Sequence, residues 1–311
     1  MNRGHIVDQS HFPVLPKYHD ALIRLISRLP DTVGVYALRA FNLYLRNQRA
    51  NFLVTTKHGF QMLCSTSDLI PLYIIQFGHW EPEVSALMEA LVGPGETVAD
   101  IGANIGYDTL LMSGLVGPSG RVVGIEASAS TFGLLKQNLS LNRSSNIRAI
   151  NLAVSNEPGE LTLYQRSATN TGQATTVKSK GVVEECTVQA LPLHTALDRQ
   201  EQESLRFIKM DVEGAEYPIV ASILENLHAF PRLDSLLIEI SDVDNPGWAS
   251  VFAAFSRNGF QAYAIENEYS YLSYLKWKQP APLRRIAAAP DRQTDVLFTR
   301  RDLPDTLSVI Q

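Results

Sequence analysis

The chain has 311 residues, 45% of them hydrophobic and 19% charged, with a net charge of −5. That length and balance suit one large α/β core with an extension, and exclude a disordered, collagen-like or disulfide-stapled chain. The negative charge argues against a broad nucleic-acid footprint, and no run approaches the roughly 18 apolar residues of a spanning helix.

Met1 to Lys17 is polar, holds two prolines, and is expected to be partly disordered. No apolar segment of signal-peptide type stands there, so a cytoplasmic protein is expected. Leu22, Leu25, Ile26 and Leu29 follow the i, i+3, i+4, i+7 spacing of an amphipathic helix that ends at Pro30. A second helix is expected from Thr32 to Arg49, with Tyr36, Ala40, Leu43 and Tyr44 inside. Residues 1–50 carry seven Lys/Arg against three Asp, a net +4, which leaves −9 for the remainder. Arg24, Arg28, Arg39, Arg46 and Arg49 decorate these helices. Such a pair can cap a substrate pocket, or touch a membrane surface through residues 20–50.

Asn51–Thr56 and Phe60–Ser65 read as a hairpin turning at Lys57-His58-Gly59. A helix follows over Glu83–Leu91, then the Gly93-Pro94-Gly95 turn. Val98, Ala99 and Ile101 form a short apolar strand, and Tyr107–Leu115 a helix. Arg121–Ile125 is a second strand ending on Glu126, and Ser130–Asn142 is the next helix. A third strand starts near Ile147 and closes over Asn151–Ser155. Leu161–Tyr164 and Val182–Leu191 are extra strands around a polar loop, 166–180, that is either a lid or an exposed excursion. The strand Phe207–Met210 runs into Asp211, followed by a helix over Ala215–Leu227 with Pro218 in its first turn. Leu233–Ile240 is another buried strand, carrying Glu239. A helix over Trp248–Arg257 and strands Phe260–Ile265 and Val296–Thr299 complete the body. Residues 1–50 thus form a helical extension, 51–305 a Rossmann-like domain and 306–311 a tail. Cys64 and Cys186 define neither a disulfide framework nor a metal site, and are expected as unpaired thiols in a reducing cytosol.

Strand, glycine turn, helix, strand and terminal acid form the nucleoside-binding half of an open α/β sheet. Gly102 and Gly106 let the backbone turn tightly and approach a ligand. Glu126, 20 residues after Gly106, is placed to accept ribose hydroxyls. Dinucleotide enzymes carry G-x-G-x-x-G, whereas this chain has Asp100-x-Gly102-x-x-x-Gly106. A carboxylate at the strand end would repel pyrophosphate but suits an ammonium or sulfonium. S-adenosylmethionine has both, plus a ribose. Asp211, Glu213 and Glu239 cluster at neighbouring strand ends, where ligands of such sheets bind.

Three stretches closely resemble the FkbM-type S-adenosylmethionine-dependent methyltransferases. They are Trp80-Glu81-Pro82-Glu83, Asp100-Ile-Gly-Ala-Asn-Ile-Gly-Tyr107 and Ile208-Lys-Met-Asp-Val-Glu-Gly-Ala-Glu216. The resemblance spans roughly Gln76 to Ile240. Ala127 stands where the family usually has Pro, and Asp108 where it often has an aromatic, and neither removes a side-chain contact to ribose. The resemblance implies a class I methyltransferase sheet, mostly parallel with an antiparallel last strand, and O-methylation of a sugar or natural-product hydroxyl. The expected cofactor set is Asp100, Gly102, Ala103, Asn104, Gly106, Glu126, Ala127, Ala153 and Asp211, with Glu81 added by resemblance.

Hydroxyl methylation benefits from a general base. Asp211 is the first candidate, with Glu213, Glu239 and His194 behind it. Glu216 reads as a first-turn helix acid, and His194 and His79 as structural. Asp211 with Glu239 offers two oxygens to Mg²⁺ but no third ligand, so no metal is expected. Tyr263, Tyr269, Tyr271, Tyr274 and Trp277 form either a substrate wall or a core-packing hairpin. The acceptor is expected to be a small molecule or saccharide. Alternatives are a nicotinamide-dependent oxidoreductase and a non-catalytic nucleoside-binding module. N-methylation would favour an Asn-Pro-Pro-type motif where Asp211-Val212-Glu213-Gly214 stands.

Overall fold

The computed structural model describes residues 19–165, 174–175, 183–212 and 214–310. The expectations placed on 1–17, on most of the 166–180 loop and on Glu213 lie outside the described residues. In chain order the elements are α1 (His19–Ile26), α2 (Asp31–Gln48), β1 (Asn51–Thr55), β2 (Gln61–Ser65), α3 (Leu69–Phe77), α4 (Pro82–Leu91), β3 (Thr97–Ile101), α5 (Tyr107–Val116), β4 (Arg121–Glu126), α6 (Ala129–Leu141) and β5 (Ile147–Asn151). Then come β6 (Ala153–Val154), β7 (Gly159–Gln165), β8 (Ala174–Thr175), β9 (Val183–Leu191), α7 (Leu193–Ala196), α8 (Arg199–Ser204), β10 (Leu205–Met210), α9 (Glu216–Glu225) and β11 (Ser235–Ile240). The last are α10 (Trp248–Arg257), β12 (Gln261–Ile265), α11 (Tyr271–Lys276), β13 (Leu283–Ile286), β14 (Thr294–Thr299) and β15 (Val309–Ile310).

Among the described residues nine strands form one sheet in the order β15-β13-β12-β14-β11-β10-β3-β4-β5. β5, β4, β3, β10 and β11 run parallel, while β14 lies antiparallel between β11 and β12. The antiparallel strand expected near the end of the domain is therefore β14. The chain leaves β3 towards β4 and β5, then returns to β10 on the other side. That reversal opens a crevice at the strands' carboxyl ends. Val309–Ile310 pair with β13, so part of the segment set apart as a tail extends the sheet. β1 and β2 form the expected hairpin.

Alternate side chains of the central strands serve opposite faces. Ala99, Ile101, Ile208, Met210 and Ile238 pack beneath α9 and α10. Val98, Phe207 and Leu237 pack under α4 and α5. Asp100, Lys209 and Glu239 share the second face by the same alternation.

A third cluster joins Ile26, Leu38 and Leu45 to α3, Trp80, Tyr107 and Tyr274. α3 carries no assignment from sequence, because Leu69-Ile70-Pro71-Leu72-Tyr73-Ile74-Ile75 is apolar throughout and shows no period. Its ends are marked by Asp68, which caps it, and by Gly78 at φ 75°. The second helix exists as expected, but its inner face is different. Gly34, Leu38, Asn42 and Leu45 are buried, whereas Tyr36, Leu43 and Tyr44 are 69%, 63% and 59% exposed. Asn42 faces inward because its amide donates to the Tyr271 hydroxyl, and Gly34 lets α1 and α2 close together, since a Cβ there would stand 3.3 Å from the Ile26 carbonyl oxygen.

Candidate cofactor and acceptor site

A cavity of about 400 Å³ opens at the carboxyl ends of β3, β4, β10 and β11, within the usual size of small-molecule sites. Glu81, Gly102, Asn104, Glu126, Ala127, Ala153, Asp211 and Glu239 all contribute to its wall. The expected residues from four separate strand ends thus meet in one space.

At one end lies Glu126, the last residue of β4. Its Oε2 accepts from the Asn104 amide at 2.9 Å and its Oε1 from the Ser128 amide at 2.8 Å. Each oxygen keeps a further lone pair for a ligand hydroxyl. Burial pushes its carboxyl up to about 7, against the pull of those two amides. Ile125, Leu152, Val154, Leu161 and Leu163 provide an apolar wall beside it, the surroundings a flat base requires.

Asp100, Ala103 and Gly106 do not line the cavity. Asp100 is fully buried, and its Oδ2 accepts from the Thr109 hydroxyl at 2.5 Å. Its Oδ1 has no partner among the described residues, and burial raises it to about 6. Ala103 donates its amide to the Ile125 carbonyl at 3.0 Å, folding the loop back on β4. Gly106 starts α5 at φ 94°, and a Cβ there would stand 2.6 Å from the Leu135 side chain. Its glycine is required by the packing of α5 on Leu135 of α6. Gly102 borders the cavity, yet its closest demand is also internal. With φ 81°, its Cβ would lie 1.8 Å from the Asp211 carbonyl oxygen. The two motif loops touch backbone to backbone at this point.

At the other end Asp211 follows β10 directly and donates its amide to the Ile101 carbonyl at 2.9 Å. Lys209 Nζ, nearly buried, stands 3.1 Å from Asp108 Oδ2 and 3.4 Å from Asp211 Oδ2. Burial alone would lower Lys209, but Asp211, Asp108, Asp100 and Glu81 together raise it well above its ordinary value. Glu239 sits opposite Asp295 in the β11–β14 register and accepts from Gln293 Nε2 at 2.8 Å. Burial, then Asp211 and Asp295, push Glu239 up to about 9. Burial and Asp211 push Asp295 up to about 7. Glu81, at φ 39°, accepts from the Tyr269 hydroxyl at 2.5 Å. Burial and Asp295 raise it well above the carboxylate range.

Trp80 and Tyr269 line the same cavity with ring centroids 5.5 Å apart and planes tilted by 32°. The C-terminal aromatics divide their work. Tyr269 faces the cavity, while Tyr271 and Tyr274 pack on Tyr73 at 5.5 and 4.7 Å. They stand on and beside a short helix, not a hairpin. Glu216 is the first residue of α9, and its Oε1 accepts from Gly214 N and Ser241 Oγ. That fits a helix-start acid and keeps it off the cavity wall. His194 on α7 is also away from the cavity. His79 is buried against Tyr274 and Trp277, and burial lowers it to about 3. Asp295 and Gln293 were not among the expected residues. Their only signal is the β14 pairing, which no local pattern reveals.

A family model described as the methyltransferase FkbM domain matches residues 100–262. The chain belongs to the FkbM methyltransferase family. It carries a methyltransferase domain, and the residues lining the cavity fit S-adenosylmethionine as its cofactor. Glu126 presents carboxylate oxygens beside an apolar slot, and the unpartnered Asp100 Oδ1 lies behind the glycine loop. Over 58 residues the chain is 34% identical to an arsenite methyltransferase of Halobacterium salinarum, a match covering 19% of this chain and 15% of that protein. Among solved structures, Aeropyrum pernix fibrillarin with natively bound S-adenosylmethionine is 14% identical, covers 80% of this chain and 93% of its own, and superposes with a TM-score of 0.39. A Thermotoga maritima S-adenosylmethionine-dependent O-methyltransferase is 13% identical, with coverages of 88% and 82% and a TM-score of 0.41.

Proposed function

We propose that this methyltransferase methylates a hydroxyl of a small-molecule or saccharide acceptor. The observation that carries the reading is the placement of Asp211 and Glu239 in one cavity with Glu126. When bound, S-adenosylmethionine supplies an electrophilic methyl group. Glu126 accepts the ribose hydroxyls, and Ala127 and Ala153 flank the base within the apolar wall. Gly102 and Asn104 border the methionine end, with Asp100 behind them. Asp211 takes the proton from the acceptor hydroxyl, a contribution of about 10²–10⁴ in rate for a positioned base. Glu239, kept protonated up to about 9, remains neutral and donates a hydrogen bond to an acceptor oxygen. Burial, Asp211 and Asp295 keep the proton on Glu239, and Lys209 stands beside Asp211.

The acceptor end carries Asp68, Glu81, Asp211 and Glu239. Among the described residues the lining offers no lysine or arginine to a polyanion such as nucleic acid, while the Trp80 and Tyr269 rings suit the apolar face of a sugar. Unpaired Cys64 and Cys186 fit a reducing compartment, and we place the reaction in the cytoplasm.

Calorimetric titration with S-adenosylhomocysteine, on wild type and Glu126→Ala, tests the cofactor end. Loss of charged hydrogen bonds of about 1.5–3 kcal/mol predicts affinity about tenfold or more weaker in the variant. A folded wild type that binds nothing would refute the reading. Methyl transfer to a panel of hydroxylated and amino acceptors then separates O- from N-methylation, and turnover on none would favour a binding module.

A further inference from the structure

α2 has two apolar faces, and the body of the protein covers one of them. The buried stripe is Gly34, Leu38, Asn42 and Leu45. Val33, Tyr36, Ala40, Leu43 and Tyr44 follow each other at i, i+3, i+7, i+10 and i+11. At about 100° per residue these lie half a turn from the buried stripe. Val33, Tyr36, Leu43 and Tyr44 are each at least half exposed. Five of the ten large exposed hydrophobics among the described residues fall between Leu25 and Tyr44, so the exposure is a property of this helix pair and not of the surface in general. A second apolar stripe on a helix, left bare by the body of the protein, marks a contact surface.

Charge decides what covers it. Residues 19–50, which hold both helices, contain five arginines and two acids, Asp20 on α1 and Asp31 on α2, and Asp31 is paired with Lys276. Arg39 and Arg46 stand on the shoulder between the buried and the outer stripes. A second copy across a twofold axis would lay this face on itself, opposing arginine to arginine while the one acid of α2, Asp31, is already paired with Lys276. An anionic lipid surface meets the arginines with phosphates and takes Val33 and Leu43 into the acyl boundary. Tyr36 and Tyr44 are suited to the headgroup level. The net −9 of residues 51–311 is repelled by the same surface, which turns the helix pair towards it.

We propose that the outer face of α2 docks this protein on an anionic phospholipid surface. Among the described residues no helix is long and apolar enough to cross a membrane, so the contact is peripheral. The docked helix is coupled to the cavity, since Asn42 holds Tyr271 on α11 and Tyr269, at the cavity wall, directly precedes that helix.

Full-length protein is floated with vesicles of phosphatidylcholine containing about 30 mol % phosphatidylglycerol, and with pure phosphatidylcholine vesicles. Binding to the anionic vesicles is expected to be about tenfold stronger, and to weaken as salt is raised. Leu43→Ser with Tyr44→Ser is expected to lower it about tenfold, and Arg39→Glu with Arg46→Glu to remove the preference for anionic lipid. All four side chains are exposed, so circular dichroism and the unfolding midpoint of both variants should match wild type. The proposal is overturned if folded wild type floats with neither vesicle or equally with both. It is also overturned if light scattering gives a two-chain mass that Leu43→Ser with Tyr44→Ser reduces to one, which would assign the face to a second copy.

Discussion

Three glycines with positive φ separate two costs of a side chain. Gly59 (φ 88°) has open space where a Cβ would stand, Gly106 (φ 94°) meets the end of Leu135 at 2.6 Å, and Gly102 (φ 81°) meets the Asp211 carbonyl at 1.8 Å. The left-handed backbone alone costs a non-glycine residue about 1–2 kcal/mol, which is all that Gly59→Ala should lose. In Gly106→Ala a side-chain terminus can shift, so overpacking adds about 1 kcal/mol. In Gly102→Ala backbone must move away from backbone by about 1 Å or more, placing the added cost near or above the upper end of about 3 kcal/mol. Gly102→Ala should therefore lose about 4–5 kcal/mol, a large share of a net stability of about 5–15 kcal/mol. Denaturant unfolding of the three variants, extrapolated to water, reads the series directly. If Gly102→Ala falls within about 1 kcal/mol of Gly59→Ala, the backbone contact between the two motif loops is not what requires glycine.

Glu239 holds its proton up to about 9 in the folded chain against an ordinary value of 4.5. Its contribution is therefore fully present below about 4.5 and lost as pH rises towards 9. The stability of Glu239→Gln relative to wild type should grow from pH 5 to pH 8, on the order of a few kcal/mol, and a pH-independent difference in denaturation would contradict this. Glu201, 1% exposed, accepts from Arg121 Nε at 2.9 Å, Arg148 Nε at 2.8 Å and Asp198 N at 3.0 Å. Both arginines reach water, so Glu201→Ala should cost about 2–3 kcal/mol, below the figure for a fully buried pair, with S-adenosylhomocysteine affinity unchanged. Asp211→Asn should lower kcat about 10²–10⁴-fold on whichever hydroxylated acceptor is turned over, with cofactor affinity little changed, and near-normal turnover would remove Asp211 as the base.

Most of the central sheet is legible because its signals are local. β3, β4, β10 and β11 are rich in Val, Ile, Leu and Phe and closed by a glycine turn or an acid, and the helices between them, α5 and α9, have the length a crossover requires. α2 shows where locality fails. Its sequence carries two apolar stripes of equal quality, and periodicity does not say which one faces in. The choice is made by Gly34 against the Ile26 carbonyl and by Asn42 against Tyr271, contacts that depend on partners elsewhere. α3 is lost for the opposite reason, since a uniformly apolar run has no face to detect.

The site divides the same way, and the division has a physical cause. The nucleoside end is built within one strand–turn–helix–strand unit, so Gly102, Asn104 and Glu126 can be read from spacing. The acceptor end is assembled from chain segments far apart in sequence. Glu81 precedes α4, Asp211 follows β10, Glu239 lies on β11, and Asp295 comes from β14 by antiparallel register. Glu81, Asp100, Asp108, Asp211 and Asp295 share the field of the Lys209 ammonium, and Glu239 adjoins Asp211 and Asp295. So many carboxylates around one cation in a buried space do not all ionise, because like charges disfavour one another there. Lys209 pulls Asp100 and Asp295 down but is not among the causes at Glu239, which burial, Asp211 and Asp295 raise. The order of the shifts follows, with Glu239 raised to about 9 and Asp295, which Lys209 pulls down, to about 7. Asp211 keeps the direct contact with Lys209. The raised carboxyls of Glu239 and Asp295 thus come from the packing of β10, β11 and β14, and the motif letters alone do not contain them.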